Sequence, residues 1–280
     1  MDLSETTAIV TGAAGGIGRE IIRGLLSSGA RIFAVDSNQI ALDAVGEELG
    51  AAASRLRCAQ ADLTHSGAAT RVVQSARQAF GGFNAVISNA GIGRSSYTKA
   101  VLGRAPRTWE VPASAWDVMF AISALSAIHL VNQALPELLR HDRGRIVAVT
   151  TSLDSMLNAG TGPYGPSKAA LEAFVAVVAD ELSATPVTAN VLVPGGVVDT
   201  PMIPPTEGIR REDLLRPSVM IPPLRFLLSA DADGVTARRF RANLWDASLD
   251  PSASMEAAGA PIAWTSIAKG QRRDPTPAVS

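Results

Sequence analysis

The strongest constraint on this chain is a regular exchange of short β-rich runs for helix-period runs, sustained from its first residues to about residue 195. Residues 7–11, Thr-Ala-Ile-Val-Thr, have no alternating charged face, as in a strand buried on both sides of a parallel sheet. Ile17, Ile21, Ile22, Leu25 and Leu26 then repeat at helical spacing, with Arg19, Glu20 and Arg23 opposite and Gly29 placed to end the helix. A second strand is expected at 31–36 and a helix at about 38–49. Further strands are expected at 54–61, 84–88, 145–151 and 187–193, with helices near 66–80, 113–140 and 164–184. This order predicts an α/β fold, a Rossmann-type doubly wound parallel sheet with helices on both faces, in a single domain. The 280 residues, 47% hydrophobic and 18% charged, are enough for one large core.

Two segments break the rhythm. Residues 92–112 and 199–225, the second rich in proline, are long connections at the side of such a sheet where ligands bind. Ile203, Leu214, Leu215, Met220 and Ile221 suggest an apolar lid, and with it a substrate on a hydrophobic or cyclic skeleton. Arg238-Arg239-Phe240-Arg241 reads as a last strand with Phe240 inward and Arg239 and Arg241 outward. The domain is expected to span 1–250, with 251–280 an extension whose final ten residues are mobile.

A formal net charge of −1 offers no global field for nucleic acid or an anionic membrane, so neither is expected as a partner. The first residues lack the basic start and apolar run of a signal peptide, and no stretch is expected to reach the roughly 18 apolar residues of a spanning helix. Cys58, the single cysteine, excludes an intramolecular disulfide and reads as a packed thiol, so a cytoplasmic location is expected. His65, His129 and His141 lack the spacing of a metal site, and no metal is expected.

The chemistry-bearing residues begin with Thr11-Gly12-Ala13-Ala14-Gly15-Gly16-Ile17-Gly18, which joins the first strand to the first helix. Small residues there let the backbone turn tightly and approach a diphosphate at the helix N-terminus. Asp36 ends the second strand, where a carboxylate can accept from both adenosine ribose hydroxyls and repel a 2′-phosphate; it can equally cap the next helix, as can Ser37 or Asn38. Without Lys or Arg at 13, 14, 15 or 37, NAD is favoured over NADP. Tyr164 and Lys168 lie four residues apart, on one face if both are helical. A tyrosine with an ordinary pKa near ~10 is a poor base at neutral pH, but a nearby ammonium and a cationic nicotinamide both favour its phenolate. Pro166 then sets Tyr164 at the start of its helix.

Together these residues resemble the classical short-chain dehydrogenase/reductase family. Thr11, Gly12, Gly16 and Gly18 fit its TGxxxGxG loop, Asp62 its acidic residue beside adenine, Asn89-Ala90-Gly91 its NAG element, and Tyr164 to Lys168 its YxxxK motif. Pro194-Gly195-Gly196 and Thr200-Pro201-Met202 fit the turn that holds the nicotinamide carboxamide. The resemblance implies cofactor contacts at Gly12, Ala14, Gly15, Gly16, Ile17, Gly18, Asp36, Ser37, Asp62, Leu63, Asn89, Ala90, Gly91, Tyr164, Lys168, Pro194, Gly195, Val197, Thr200 and Met202. It also implies a hydroxyl that polarises the substrate oxygen, usually thirteen positions before the tyrosine. That count gives Thr151, but Ser152 follows it; Ser152 is favoured if the intervening loop is one residue shorter than usual. Where the family carries a catalytic asparagine this chain has Ser123, with shorter reach for a relay water.

The implied activity is NAD-dependent interconversion of an alcohol and a carbonyl by a homodimer or homotetramer, Ala169, Ala170, Ala173, Ala176 and Ala179 permitting close helix approach. The competing reading is a cofactor-binding regulatory protein that has lost turnover, which Ser123 keeps open and the retained Tyr164 and Lys168 oppose.

Overall fold

The computed structural model describes residues 1–98, 106–205 and 209–268. Residues 99–105 and 206–208 of the two long connections, and 269–280 with the ten expected to be mobile, lie outside the described residues. The elements run β1 (Thr7–Thr11), α1 (Gly16–Ser27), β2 (Arg31–Asp36), α2 (Gln39–Leu49), β3 (Leu56–Gln60), α3 (Ala68–Phe80) and β4 (Ala85–Ser88). They continue as α4 (Ala113–Phe120), a π-turn (Ala121–Leu125), α5 (Ser126–Leu138), β5 (Gly144–Val149), α6 (Leu153–Leu157), α7 (Tyr164–Glu181) and β6 (Val187–Val193). The chain then forms α8 (Ile221–Leu228), β7 (Arg238–Arg241), α9 (Pro251–Ala258), β8 (Gly259–Pro261) and α10 (Thr265–Ala268).

One sheet takes the order β3-β2-β1-β4-β5-β6-β7-β8, parallel except for the antiparallel β7–β8 pair. Alternate residues of β1 enter different cores, which explains its lack of a polar face. Ala8 and Val10 pack with Ile21 of α1, Leu42 of α2 and Leu224 of α8, whereas Ile9 packs with Val72 of α3, Leu130 of α5 and Leu171 of α7. The connection order reverses between β1 and β4, so the loops leaving their carboxyl ends diverge and open a crevice there.

Several expectations change for physical reasons. Arg239 does not point outward: it is 5% exposed and paired with the fully buried Glu172 of α7, which meets this face of β7 at residue 239. Phe240 is buried and Arg241 exposed, as the alternation predicts. Residues beyond 250 are joined to the domain, since β8 pairs with β7 and Ile262 is fully buried in the core. Met220 and Ile221 are core rather than lid, and a Cβ on Gly24 of α1 would meet Ile221 Cγ2 at 2.6 Å. Cys58 is exposed, being on the outermost strand, β3.

Ala113–Leu138 is long and apolar enough to cross a membrane by composition, an 18-residue window within it having a mean hydropathy of 1.6, contrary to the expectation of no such stretch. Its apolar residues have another use here. Met119, Leu130, Val131 and Leu138 are buried, the last three in the core shared with β1, β4 and β5.

Candidate active site

The glycine loop sits at the switch point and is tied to β4. Asn89 Nδ2 donates to the carbonyls of Thr11 and Gly12 at 3.0 and 3.1 Å, and the amides of Asn89 and Ala90 each donate to Thr11 Oγ1 at 3.1 Å. Gly12 takes a φ of +62°, the left-handed region in which glycine alone is unstrained. Gly15 caps α1 without a side-chain hydrogen bond, so the amides of the first helical turn face the cleft unsatisfied by any side chain.

Asp36 stands at one end of the cleft. Its Oδ2 accepts from the amide of Ala14 and its Oδ1 from that of Asn38, both at 3.0 Å. Asn38, not Asp36, caps α2 by accepting from Ala41 N. The carboxylate is therefore held beside the loop, and its remaining lone pairs can serve a ligand.

At the other end Tyr164 is the first residue of α7, and Pro166 falls in the first turn, where its missing N–H costs nothing. Lys168, one turn on, is 5% exposed and donates from Nζ to Val149 O at 3.0 Å. Burial draws its pKa down to about 8. Burial pushes the Tyr164 phenol above its ordinary value, and a hydrogen bond with the Thr151 side chain works the other way. Glycine loop, Asp36, Thr151, Tyr164 and Lys168 all line one cleft of about 760 Å³. Its size, uncapped amides and terminal carboxylate fit an extended dinucleotide with room beside it for a small substrate.

A family model of short chain dehydrogenases matches residues 6–208. The chain belongs to the short-chain dehydrogenase/reductase family. This short-chain dehydrogenase/reductase is 32% identical over 203 residues to a short-chain type dehydrogenase/reductase of Picea abies, covering 70% of this chain and 72% of that one. It is 31% identical over 203 residues to D-beta-hydroxybutyrate dehydrogenase of Cupriavidus necator, covering 72% and 74%. A Brucella melitensis structure described as a short-chain dehydrogenase/reductase, glucose/ribitol dehydrogenase, superposes with a TM-score of 0.73 at 27% identity, over 84% of this chain and 95% of the other. Family membership makes the chain an oxidoreductase that uses a nicotinamide cofactor on hydroxyl or carbonyl groups of small molecules.

Within this short-chain dehydrogenase/reductase the expected residues do not all meet. Gly12, Gly15, Gly16, Ile17, Gly18, Asn89, Gly91, Pro194, Gly195, Val197, Thr200 and Met202 line the same cleft as the groups above. Ala14, Ser37, Asp62, Leu63, Ala90 and Ser123 do not. Leu63 is buried in the core, and Asp62 is engaged by the amide and hydroxyl of Thr64 at 2.9 and 2.7 Å. Ser37 gives its carbonyl to Gln60 Nε2.

Ser152 also lines the cleft and caps α6: its hydroxyl oxygen accepts from Ser155 N at 3.2 Å and lies 2.9 Å from Ser155 Oγ. Thr151 lines the cleft beside it, and its side chain favours the Tyr164 phenolate. Ser123 lies one layer back in the π-turn, fully buried, accepting from Ile92 N at 3.4 Å and donating to Met119 Sδ at 3.5 Å.

The cleft wall includes residues that the sequence marked only as a long loop. Ile92, Arg94, Ser95 and Ser96 after β4 face Met202 and Ile203, and Ser95 Oγ donates to Met202 O at 3.2 Å. Asn243 is a further surprise. Its side chain fills the space a Cβ on Gly195 would need, 1.7 Å from Oδ1, and its backbone N–H donates to Pro194 O at 3.0 Å. No motif signals it, because a residue that supports a turn from a distant loop leaves no local pattern.

Proposed function

We propose that the chain interconverts a secondary alcohol, on an apolar or cyclic skeleton, and its carbonyl with NAD as cofactor. The observation that carries this reading is that one cleft holds the glycine loop and Asp36 at one end and Tyr164, Thr151 and Lys168 at the other. In reduction Tyr164 gives its proton to the substrate oxygen while the Thr151 hydroxyl donates a hydrogen bond to it. In oxidation Tyr164 takes that proton back. A bound nicotinamide would supply or accept the hydride, its oxidised form adding a positive charge that favours the phenolate. Lys168, held at Val149 O, has donors left for the cofactor's ribose. Ile92, Met202 and Ile203 give the substrate end an apolar wall, interrupted by Arg94, Ser95 and Ser96. The Cupriavidus necator relative, by its name, also acts on a hydroxyl borne by a carbon chain.

Asp36 supports NAD, since its fixed carboxylate would accept from ribose hydroxyls and repel a 2′-phosphate. Asp36→Ser should shift the NAD-to-NADP ratio of kcat/KM towards NADP by on the order of 100-fold. Initial rates with both cofactors on one substrate decide it, and an unchanged ratio removes Asp36 as the selector.

Thr151 and Ser152 separate in the same assay. Thr151→Val should lower kcat by about 10- to 100-fold through loss of the donor to the substrate oxygen. Ser152→Ala should cost about 1 kcal/mol of stability as a lost cap, with kcat nearly unchanged. The reverse pattern would return the polarising role to Ser152.

A homo-oligomer is part of the same reading. Val118 of α4, Leu125 of the π-turn and Val177 of α7 are 49%, 44% and 55% exposed on helices that pack side by side, with half-buried Ala169 and Ala173 between turns. A second copy would cover this face. Light scattering should find a dimer or tetramer, and Val177→Glu should shift it towards monomer; a monomeric parent protein rejects the interface.

A further inference from the structure

The helix that carries Tyr164 and Lys168 presents a third residue on the same face. Glu172 lies one turn beyond Lys168, and the three residues at i, i+4 and i+8 run along the chain leaving β5. Each of residues 149, 150 and 151 is gripped in turn. Lys168 Nζ donates to Val149 O at 3.0 Å, Thr150 Oγ1 donates to Glu172 Oε2 at 2.9 Å, and Arg239 Nη2 donates to Thr151 O at 2.9 Å. Arg239 Nε also donates to Glu172 Oε1 at 2.9 Å, and the amide of Ala263 reaches the same oxygen at 3.1 Å. Both charged residues are buried, Glu172 completely and Arg239 at 5% exposure.

A buried ion pair is a poor device for stability alone, because desolvating two charges cancels most of their attraction and apolar side chains would fill the same space. What a guanidinium adds is geometry: a planar fork whose donors address two acceptors at once. Here one donor meets the carboxylate and the other the backbone of the residue whose hydroxyl bears on Tyr164.

We infer that Glu172 and Arg239 are positioning residues, which fix Thr151 so that its hydroxyl is aimed at Tyr164 and the substrate oxygen. The inference rests on the proposed roles of Tyr164 and Thr151. It also gives the C-terminal segment a part in the site, because Ala263 completes the hydrogen bonding of Glu172 from beyond β8.

Arg239→Lys tests geometry without changing charge. Lysine keeps a cation opposite Glu172 but lacks the planar second donor for Thr151 O. Two readouts apply. In turnover, kcat should fall by about tenfold while the cofactor and substrate KM values stay within about threefold. The second readout needs no substrate. The chain has two tyrosines, Tyr97 and Tyr164, so in a Tyr97→Phe background the ultraviolet phenolate band titrates Tyr164 alone.

The charged groups that share the cleft with that phenol are Lys168 from its own helix, Arg94 from the turn after β4 and Asp36 from β2, while Glu172 of α7 and Arg239 of β7 stand behind residues 150 and 151. Arg239→Lys leaves every one of these charges in place. Loss of the aimed Thr151 hydroxyl should therefore raise the Tyr164 midpoint by at least about half a pH unit, since that hydrogen bond favours the phenolate. An unshifted midpoint overturns the inference, as does an unchanged kcat. Should Arg239→Lys fail to bind NADH, Thr150→Val in the same background releases residue 150 from Glu172, and the same rise or its absence decides. If wild type reduces no carbonyl, the proposed function fails, and the titration still reports on the positioning of Tyr164.

Discussion

Replacing Tyr164 by Phe is expected to lower kcat by about 10²- to 10⁴-fold, the range for removing a positioned proton donor. The ring remains, so the packing at the start of α7 and the cleft shape are retained. NADH binding, followed by quenching of its fluorescence, should change by less than about threefold. A rise in KM at constant kcat would instead make Tyr164 a binding group only. Burial holds the phenol above its ordinary pKa and brings Lys168 down to about 8. The two directions should therefore respond oppositely to pH. Reduction consumes the phenol and slows as alkali ionises it, whereas oxidation requires the phenolate and accelerates with rising pH.

The second large effect is on the glycine loop. A Cβ on Gly18 would lie 2.0 Å from Gly12 O and 2.9 Å from Ala13 Cα, both backbone atoms that no side-chain rotation can move aside. The Gly12 carbonyl also accepts from Gly15 N at 3.2 Å and from Asn89 Nδ2 at 3.1 Å, so relieving the clash disturbs the whole turn. Gly18→Ala should cost about 2–4 kcal/mol of stability. It should also weaken NADH binding by on the order of 100-fold, as the turn that presents the α1 amides is displaced. Gly46 is the control. It lies within α2 with nothing near the place of its Cβ, and alanine there should stabilise the protein by about 0.5–1 kcal/mol through helix propensity. Thermal midpoints of opposite sign for the two variants would bear this out; equal, small shifts would contradict the steric argument.

The nucleotide end was legible because its chemistry is local. A strand, a run of small residues and a helix are adjacent in sequence, and Asp36 lies at the end of the next strand in the same βαβ unit. The YxxxK pair was legible for the same reason, one turn of one helix. What escaped was set by contacts between distant segments. Which of Thr151 and Ser152 polarises the substrate depends on how the chain leaves β5, and both line the cleft, Ser152 while also capping α6. Arg239 was assigned outward by an alternation rule that assumes one wet face, but Glu172, 67 residues away in sequence, receives it on that face. Three residues, Gly259–Pro261, are too short a run to show strand periodicity, so β8 emerges only from its pairing with β7. The apolar residues at 214–221 looked like a lid because a proline-rich stretch obscures helical spacing; Met220 and Ile221 instead close the core over α1.

The most direct test of the central claim is to follow deuterium from NADH carrying two deuteriums at nicotinamide C4 into the product of a carbonyl panel, read by mass spectrometry. The account predicts one deuterium on the new carbinol carbon with wild type, and its formation slowed by about 10²- to 10⁴-fold with Tyr164→Phe, although both bind NADH. Reduction that proceeds undiminished in Tyr164→Phe, or a product without deuterium on that carbon, would contradict it.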